Sequence, residues 1–138
     1  LIDYYLRGEF DYVCNDLRLT YPLGIYAHVV RVEKLVELNQ RKDLSSKDRS
    51  DVVRYIFEHP KTYAILNIEA PLELRHPTLR LTIDYSEDLA QARDVYNYFR
   101  GQLFTTAQVV ELYENKPELF EKTKNLIQQS APFLGEGE

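Results

Sequence analysis

Apolar residues recur along this chain with two different periods, and each change of period marks an element. Leu1-Ile2-Asp3-Tyr4-Tyr5-Leu6 has helical spacing with no capping residue before it, so it reads as the last turns of an amphipathic helix broken by Gly8. Asp11-Tyr12-Val13-Cys14 predicts a short buried strand, and the β-branched and aromatic run Gly24 to Val30 predicts a second. Val32, Leu35, Val36 and Leu38 then predict a helix to about Arg41. The polar stretch from Lys42 to Asp51, with Ser45 or Ser50 as N-cap, leads into a helix carrying Val52, Val53, Tyr55, Ile56 and Phe57, which His59-Pro60 stops.

The second half repeats the alternation of types. Thr62 to Ile68 predicts a third strand, Pro71 to Pro77 a loop, and the alternating Leu79-Arg80-Leu81-Thr82-Ile83-Asp84 a half-buried fourth strand. Ser86 is expected to cap the next helix, with Glu87 and Asp88 at its positive dipole end. Leu89, Ala92, Val95, Tyr96 and Phe99 form its expected buried face, and Gly101 ends it. Thr105 and Gln108 make a capping box for a helix through Val109, Val110, Leu112 and Tyr113. Pro117 opens a last helix with Leu119, Phe120 and Leu126, and the tail from Ala131 is predicted to fray. This order predicts an α/β layer arrangement with a mixed sheet and a helical C-terminal appendage.

Composition removes several classes of function. The 138 residues hold 17 Lys+Arg against 22 Asp+Glu, a net charge of -5 with no basic stripe, which argues against a nucleic-acid binder. No apolar run approaches the roughly 20 residues that span a bilayer, so no membrane association is expected. One cysteine, Cys14, excludes an intrachain disulfide framework and fits a reducing cytoplasm. The chain holds no methionine and begins inside a helical pattern, so it is expected to be a fragment whose N-terminal part is absent.

Chemistry-bearing motifs are few. Glycine is too scarce for a phosphate-cradling loop, and there is no C-x-x-C or H-E-x-x-H. His28, His59 and His76 lie far apart without paired spacing, and Arg41, Lys42, Lys47, Arg49 and Arg54 alternate with Asp43, Asp48 and Asp51 as a solvated face does. Asp84 is the remaining candidate. A strand ending in aspartate and opening on a helix puts a carboxylate at the carboxyl edge of a sheet, where open α/β folds bind ligands. Hard carboxylate oxygens there suit Mg²⁺, although a turn aspartate beside a capped helix has the same local pattern.

The stretch Leu79 to Leu89 resembles the arginine-x-threonine-valine-aspartate-x-proline-glutamate-aspartate-leucine stretch of the sugar cytidylyltransferases. The branch it resembles is the spore coat polysaccharide biosynthesis type, related to CMP-sialic acid and CMP-Kdo synthetases. Asp11 to Asn15, Thr20 to Ile25, Tyr55 to Pro60, and Phe104-Thr105 with Pro117-Glu118-Leu119 follow that branch in order, so the likeness covers about residues 3 to 129. It implies the C-terminal part of a nucleotide-diphospho-sugar transferase-like three-layer fold with a mixed sheet, plus C-terminal helices. Residues 1–101 would belong to the cytidylyltransferase-like domain, 102–130 to a helical extension and 131–138 to a flexible tail.

The implied activity is transfer of CMP from CTP to a sugar with release of pyrophosphate. Asp84 matches the family's C-terminal metal-binding aspartate, which implies Mg²⁺, and Tyr21, Pro22 and Gly24 match the loop that faces the sugar. CTP and a sugar are the implied partners, and a homodimer is compatible with the family. This sequence departs from the branch at Leu23, Tyr26 and His28, where a basic residue, an aspartate and a glutamate are usual, and Ser50-Asp51-Val52-Val53 replaces glutamate-histidine-valine-threonine. Those departures motivate an alternative: a non-catalytic binding or assembly half-domain that pairs with itself or with a separate N-terminal subunit.

Overall fold

A computed structural model of the chain describes residues 1–50 and 53–126, the Ser50 side chain excepted. They form two compact units, one from Leu1–Leu17 and Ala27–Ile68, the other from Arg18–Tyr26 and residues 69–126. Val52 and the tail from Ala131 lie outside the described residues.

The first unit is built around a short mixed sheet. Strands β1 (Tyr12–Cys14), β2 (His28–Val30) and β3 (Ile65–Asn67) run in the order β2-β1-β3. β1 pairs antiparallel with β2, Tyr12 opposite Val30, and parallel with β3, Tyr12 opposite Ile65. All three β1 residues are buried, as a central strand covered on both faces requires. Around it stand α1 (Ile2–Arg7), α2 (Val32–Gln40), α3 (Ser46–Ser50) and α4 (Arg54–Glu58). Tyr12, Cys14, Leu38, Ile56 and Tyr63 form the core.

The expected strand from Gly24 is cut to His28–Val30. Gly24 turns the chain at φ +99°, the Ile25 N–H donates to the Pro22 carbonyl, and the Asn15 side chain takes the Ala27 N–H at 2.8 Å. Within the polar stretch after Arg41, Ser46–Ser50 are helical, and Ser45, one of the two expected caps, sits at their start. The Ser45 hydroxyl accepts from the Asp48 N–H, and the Asp48 carboxylate accepts in return from the Ser45 N–H.

The second unit packs α5 (Ser86–Tyr98), α6 (Thr106–Asn115) and a 3₁₀ segment, Pro117–Thr123, around Leu79, Val95, Val109, Val110, Leu112 and Phe120. The Thr105–Gln108 capping box is present, with the Gln108 side chain accepting from the Thr105 N–H at 2.8 Å. Four expectations change here. The segment 79–84 is no strand: its one bridge joins Leu23 to Arg80, because Gly24 turns the partner away after a single residue. Ser86 is the first helical residue and not the cap; the helix entry is tied instead by the Asp88 carboxylate, which accepts the Tyr85 N–H. The inward residues of α5 are Asp88, Gln91 and Val95, whereas Leu89 and Tyr96 are exposed. The segment from Pro117 is 3₁₀ rather than α-helical.

Candidate functional site

Tyr21, Pro22, Gly24 and Asp84 all fall in the second unit. The loop carrying the first three is laid along the segment that leads to Asp84. The Leu23 N–H donates to the Leu79 carbonyl and the Leu81 N–H to the Leu23 carbonyl, both at 2.8 Å. Pro22 is fully buried and Tyr21 half-buried. Gly24 lies so close to Thr82 that a β-carbon there would sit 2.7 Å from the Thr82 nitrogen. The loop is anchored at its start by Thr20, whose buried hydroxyl accepts the Ala70 N–H at 2.8 Å.

Asp84 follows directly, its side chain 45% exposed. Its Oδ2 accepts from Arg80 Nη2 at 2.8 Å and from the Thr82 hydroxyl at 3.1 Å. Arg80 is itself gripped from below by Asp88: Nε donates to Oδ1 at 2.7 Å and Nη2 to Oδ2 at 2.9 Å. That fork is a charge-assisted bidentate pair, removed from water at both ends. Asp88 Oδ2 also accepts the backbone N–H groups of Asp84 and Tyr85, each at 2.9 Å. The Arg80 guanidinium and these two amides hold the Asp88 carboxyl down at about 2 against the opposing pull of burial. The same fork raises the Arg80 guanidinium above its ordinary value.

This arrangement separates the two acids by role. Both Asp88 oxygens accept from protein donors and the side chain is fully covered, so it is not presented to a cation. Asp84 stays at the surface with a hard carboxylate oxygen set. Among the described residues no group of three or more His, Cys, Asp or Glu side chains is arranged to hold a metal ion. A single exposed carboxylate nevertheless fits Mg²⁺, which commonly takes one or two carboxylates and completes its shell with substrate phosphates and water. Next to this network a cavity of about 260 Å³ is lined by Ile25, Leu81, Thr82, Tyr96, Phe104 and Thr105, among others.

Sequence reasoning placed Asp88 only as a helix-end acid and missed the fork. The available signal was Arg80 itself, a charged residue inside an otherwise apolar run and eight positions before an aspartate. The other candidates resolve into local pairs. His28 lies 2.8 Å from Asp16, His59 bonds the Tyr55 carbonyl and stacks on its ring, and His76 bonds Glu114. Burial pushes the Cys14 thiol up to about 11, which makes it inert at neutral pH.

The first unit's three-stranded mixed sheet flanked by helices makes this an α/β chain. The fold matches a solved cytidylyltransferase from Leptospira borgpetersenii serovar Hardjo-bovis with a TM-score of 0.73, over 86% of this chain and 49% of that one, at 21% identity. In sequence the chain is 33% identical over 102 residues to the spore coat polysaccharide biosynthesis protein SpsF of Bacillus subtilis, covering 70% of this chain and 40% of that protein. It is 25% identical over 129 residues to an uncharacterized protein of Methanocaldococcus jannaschii, covering 94% of this chain and 51% of the relative. No protein-family model matches the sequence. The chain is thus similar in sequence to SpsF and in fold to a solved cytidylyltransferase, and it spans about half the length of the curated relatives it matches.

Proposed function

We propose that this chain is the C-terminal part of a nucleotidyltransferase that activates a sugar for cell-surface polysaccharide or glycoconjugate synthesis in the cytoplasm. The sugar hydroxyl attacks the α-phosphate of CTP, a new phosphorus–oxygen bond forms, and pyrophosphate leaves. The observation that carries this reading is the 33% identity to SpsF over 102 residues, a span that includes most of this chain. Asp84 would hold Mg²⁺, and Tyr21, Pro22 and Gly24 would face the sugar. The ion, when bound, offsets negative charge that builds on the phosphoryl oxygens. The chain's own part is to keep a charged carboxylate at the surface and to seat the 20–24 loop against it.

Asp84→Asn should lower pyrophosphate release from CTP and sugar by at least tenfold in the full natural polypeptide, since a carboxamide is a poor ligand for a hard cation. The check is a steady-state assay across a panel of sugars with Mg²⁺ in excess. Unchanged turnover would remove Asp84 from the site, and absence of CTP-dependent pyrophosphate release by the wild type with every sugar would remove the reaction.

One observation favours the assembly reading as well. β2 stands at an edge of the described sheet, and Ile2 and Leu6 of α1 are 64% and 73% exposed. A groove of about 430 Å³ on this side is lined by Leu1, Ile2, Asp3, Ala27, His28 and Val29. A strand edge with exposed apolar neighbours is a pairing surface. On this reading the isolated chain should sediment as a homodimer or larger; a strictly monomeric particle over the micromolar range would count against self-pairing.

A further inference from the structure

We infer that Arg80 and Thr82 are positioning residues that aim the Asp84 carboxylate at a divalent cation. This rests on the reading of Asp84 as a cation ligand. A buried ion pair is a poor way to stabilise a fold, because desolvation offsets much of the attraction and apolar groups of the same volume do as well. The Arg80 side chain is only 4% exposed and Asp88 is fully covered. What this pair does that an apolar pair could not is reach the surface. Arg80 Nη2, held in plane by the Asp88 fork, extends to Asp84 Oδ2 at 2.8 Å.

Charge explains why two acids are needed. Arg80 beside Asp84 alone would cancel the carboxylate that a cation must find. With Asp88 included the cluster sums to +1 −1 −1, a net of −1, so Asp84 is oriented by a guanidinium without losing its attraction for a cation. The base of this device is fixed on both sides. The Gln91 side chain donates to the Arg80 carbonyl at 2.8 Å, and the Thr123 hydroxyl donates to Gln91 Oε1 at 2.6 Å, all three residues buried.

Thr82 completes it from the other face. Its hydroxyl donates to the same Asp84 oxygen at 3.1 Å. Its backbone nitrogen lies directly against Gly24, so the loop proposed to face the sugar abuts the residue that aims the proposed metal ligand. A shift of that loop therefore changes the hydrogen bonding of Asp84 through one intervening residue.

The experiment measures Mn²⁺ binding by paramagnetic resonance in the presence of CTP, together with the Mg²⁺ concentration that gives half-maximal pyrophosphate release. Wild type is compared with Asp84→Asn, Thr82→Val, Arg80→Gln and Arg80→Lys in the full natural polypeptide, with thermal unfolding as a check on folding. Thr82→Val and Arg80→Gln should weaken Mn²⁺ binding about tenfold, the scale on which partners of metal ligands act, and raise the Mg²⁺ requirement more than they lower kcat at saturating Mg²⁺. Arg80→Lys should recover part of the loss, because an ammonium keeps the charge but not the fork. If Asp84→Asn abolishes binding while Thr82→Val and the Arg80 variants bind like wild type, the positioning role is overturned and the ligand reading stands. If Asp84→Asn binds like wild type, the ligand reading falls and this inference falls with it. Should the Arg80 variants fail to fold, Thr82→Val decides, since it removes only a hydroxyl from a half-buried side chain.

Discussion

Asp88→Ala should destabilise the second unit by about 3–5 kcal/mol, the cost of leaving a buried charge without its partner. The variant strands the Arg80 guanidinium, 4% exposed, and removes the acceptor for the Asp84 and Tyr85 N–H groups at the entry to α5. Loss of the entry bonds is itself a capping defect. Urea unfolding of wild type and variant at neutral pH measures the difference. A loss below about 1 kcal/mol would show the fork to be a surface-grade ion pair.

The same residue sets an acid dependence whose sign follows from its depressed ionisation. The folded Asp88 carboxyl titrates at about 2, against about 3.9 for an unfolded aspartate. Its contribution is complete above the unfolded value and is lost as pH falls from about 4 through about 2. The stability gap between wild type and Asp88→Ala should therefore narrow over that window. A gap that stays constant down to pH 2 would mean that the carboxylate is not held in its charged form by Arg80.

Gly24→Ala should cost about 3 kcal/mol or more, from two sources that add. At φ +99° an L-residue is strained, on the scale of 1–3 kcal/mol. The new methyl would also sit 2.7 Å from the Thr82 nitrogen and 2.9 Å from the Leu81 carbonyl carbon and Thr82 Cα, all backbone atoms that cannot swing aside. Gly101 supplies the control. It has φ +71° with nothing within 4 Å of a β-carbon, so Gly101→Ala meets only the conformational term, about 1 kcal/mol. Denaturant midpoints of the two variants should differ accordingly; equal shifts would mean that the 20–24 loop moves freely off the Leu81–Thr82 backbone.

Much of this protein was legible one element at a time. The Thr105–Gln108 box, the buried run of β1, and the Val109, Val110 and Leu112 face of α6 depend on spacings of a few residues, and the structure carries all three. The ordered motifs also pointed to a resemblance that agrees with the sequence similarity to SpsF and with the fold match to a solved cytidylyltransferase. The misreadings of burial share one cause. Alternation along 79–84 puts Arg80 on the side facing water, and helical spacing along α5 puts Leu89 and Tyr96 inside. The structure instead buries Arg80, Asp88 and Gln91 and exposes both of those apolar residues.

Periodicity reports how wet a position is on average, and it cannot see a charge that finds a partner. Arg80 stays dry because Asp88 and Gln91 supply its hydrogen bonds, and those partners arrive only when α5 folds back over the segment. Gly24 and Thr82 likewise meet through the fold, since no local spacing connects the two loops. The Thr105–Gln108 box, the buried strand β1 and the inward face of α6 were thus determined by the sequence alone, because each depends on neighbouring residues. Which acid is buried, which is presented, and what holds it were decided by tertiary structure, because burial of a charge depends on partners that lie elsewhere along the chain.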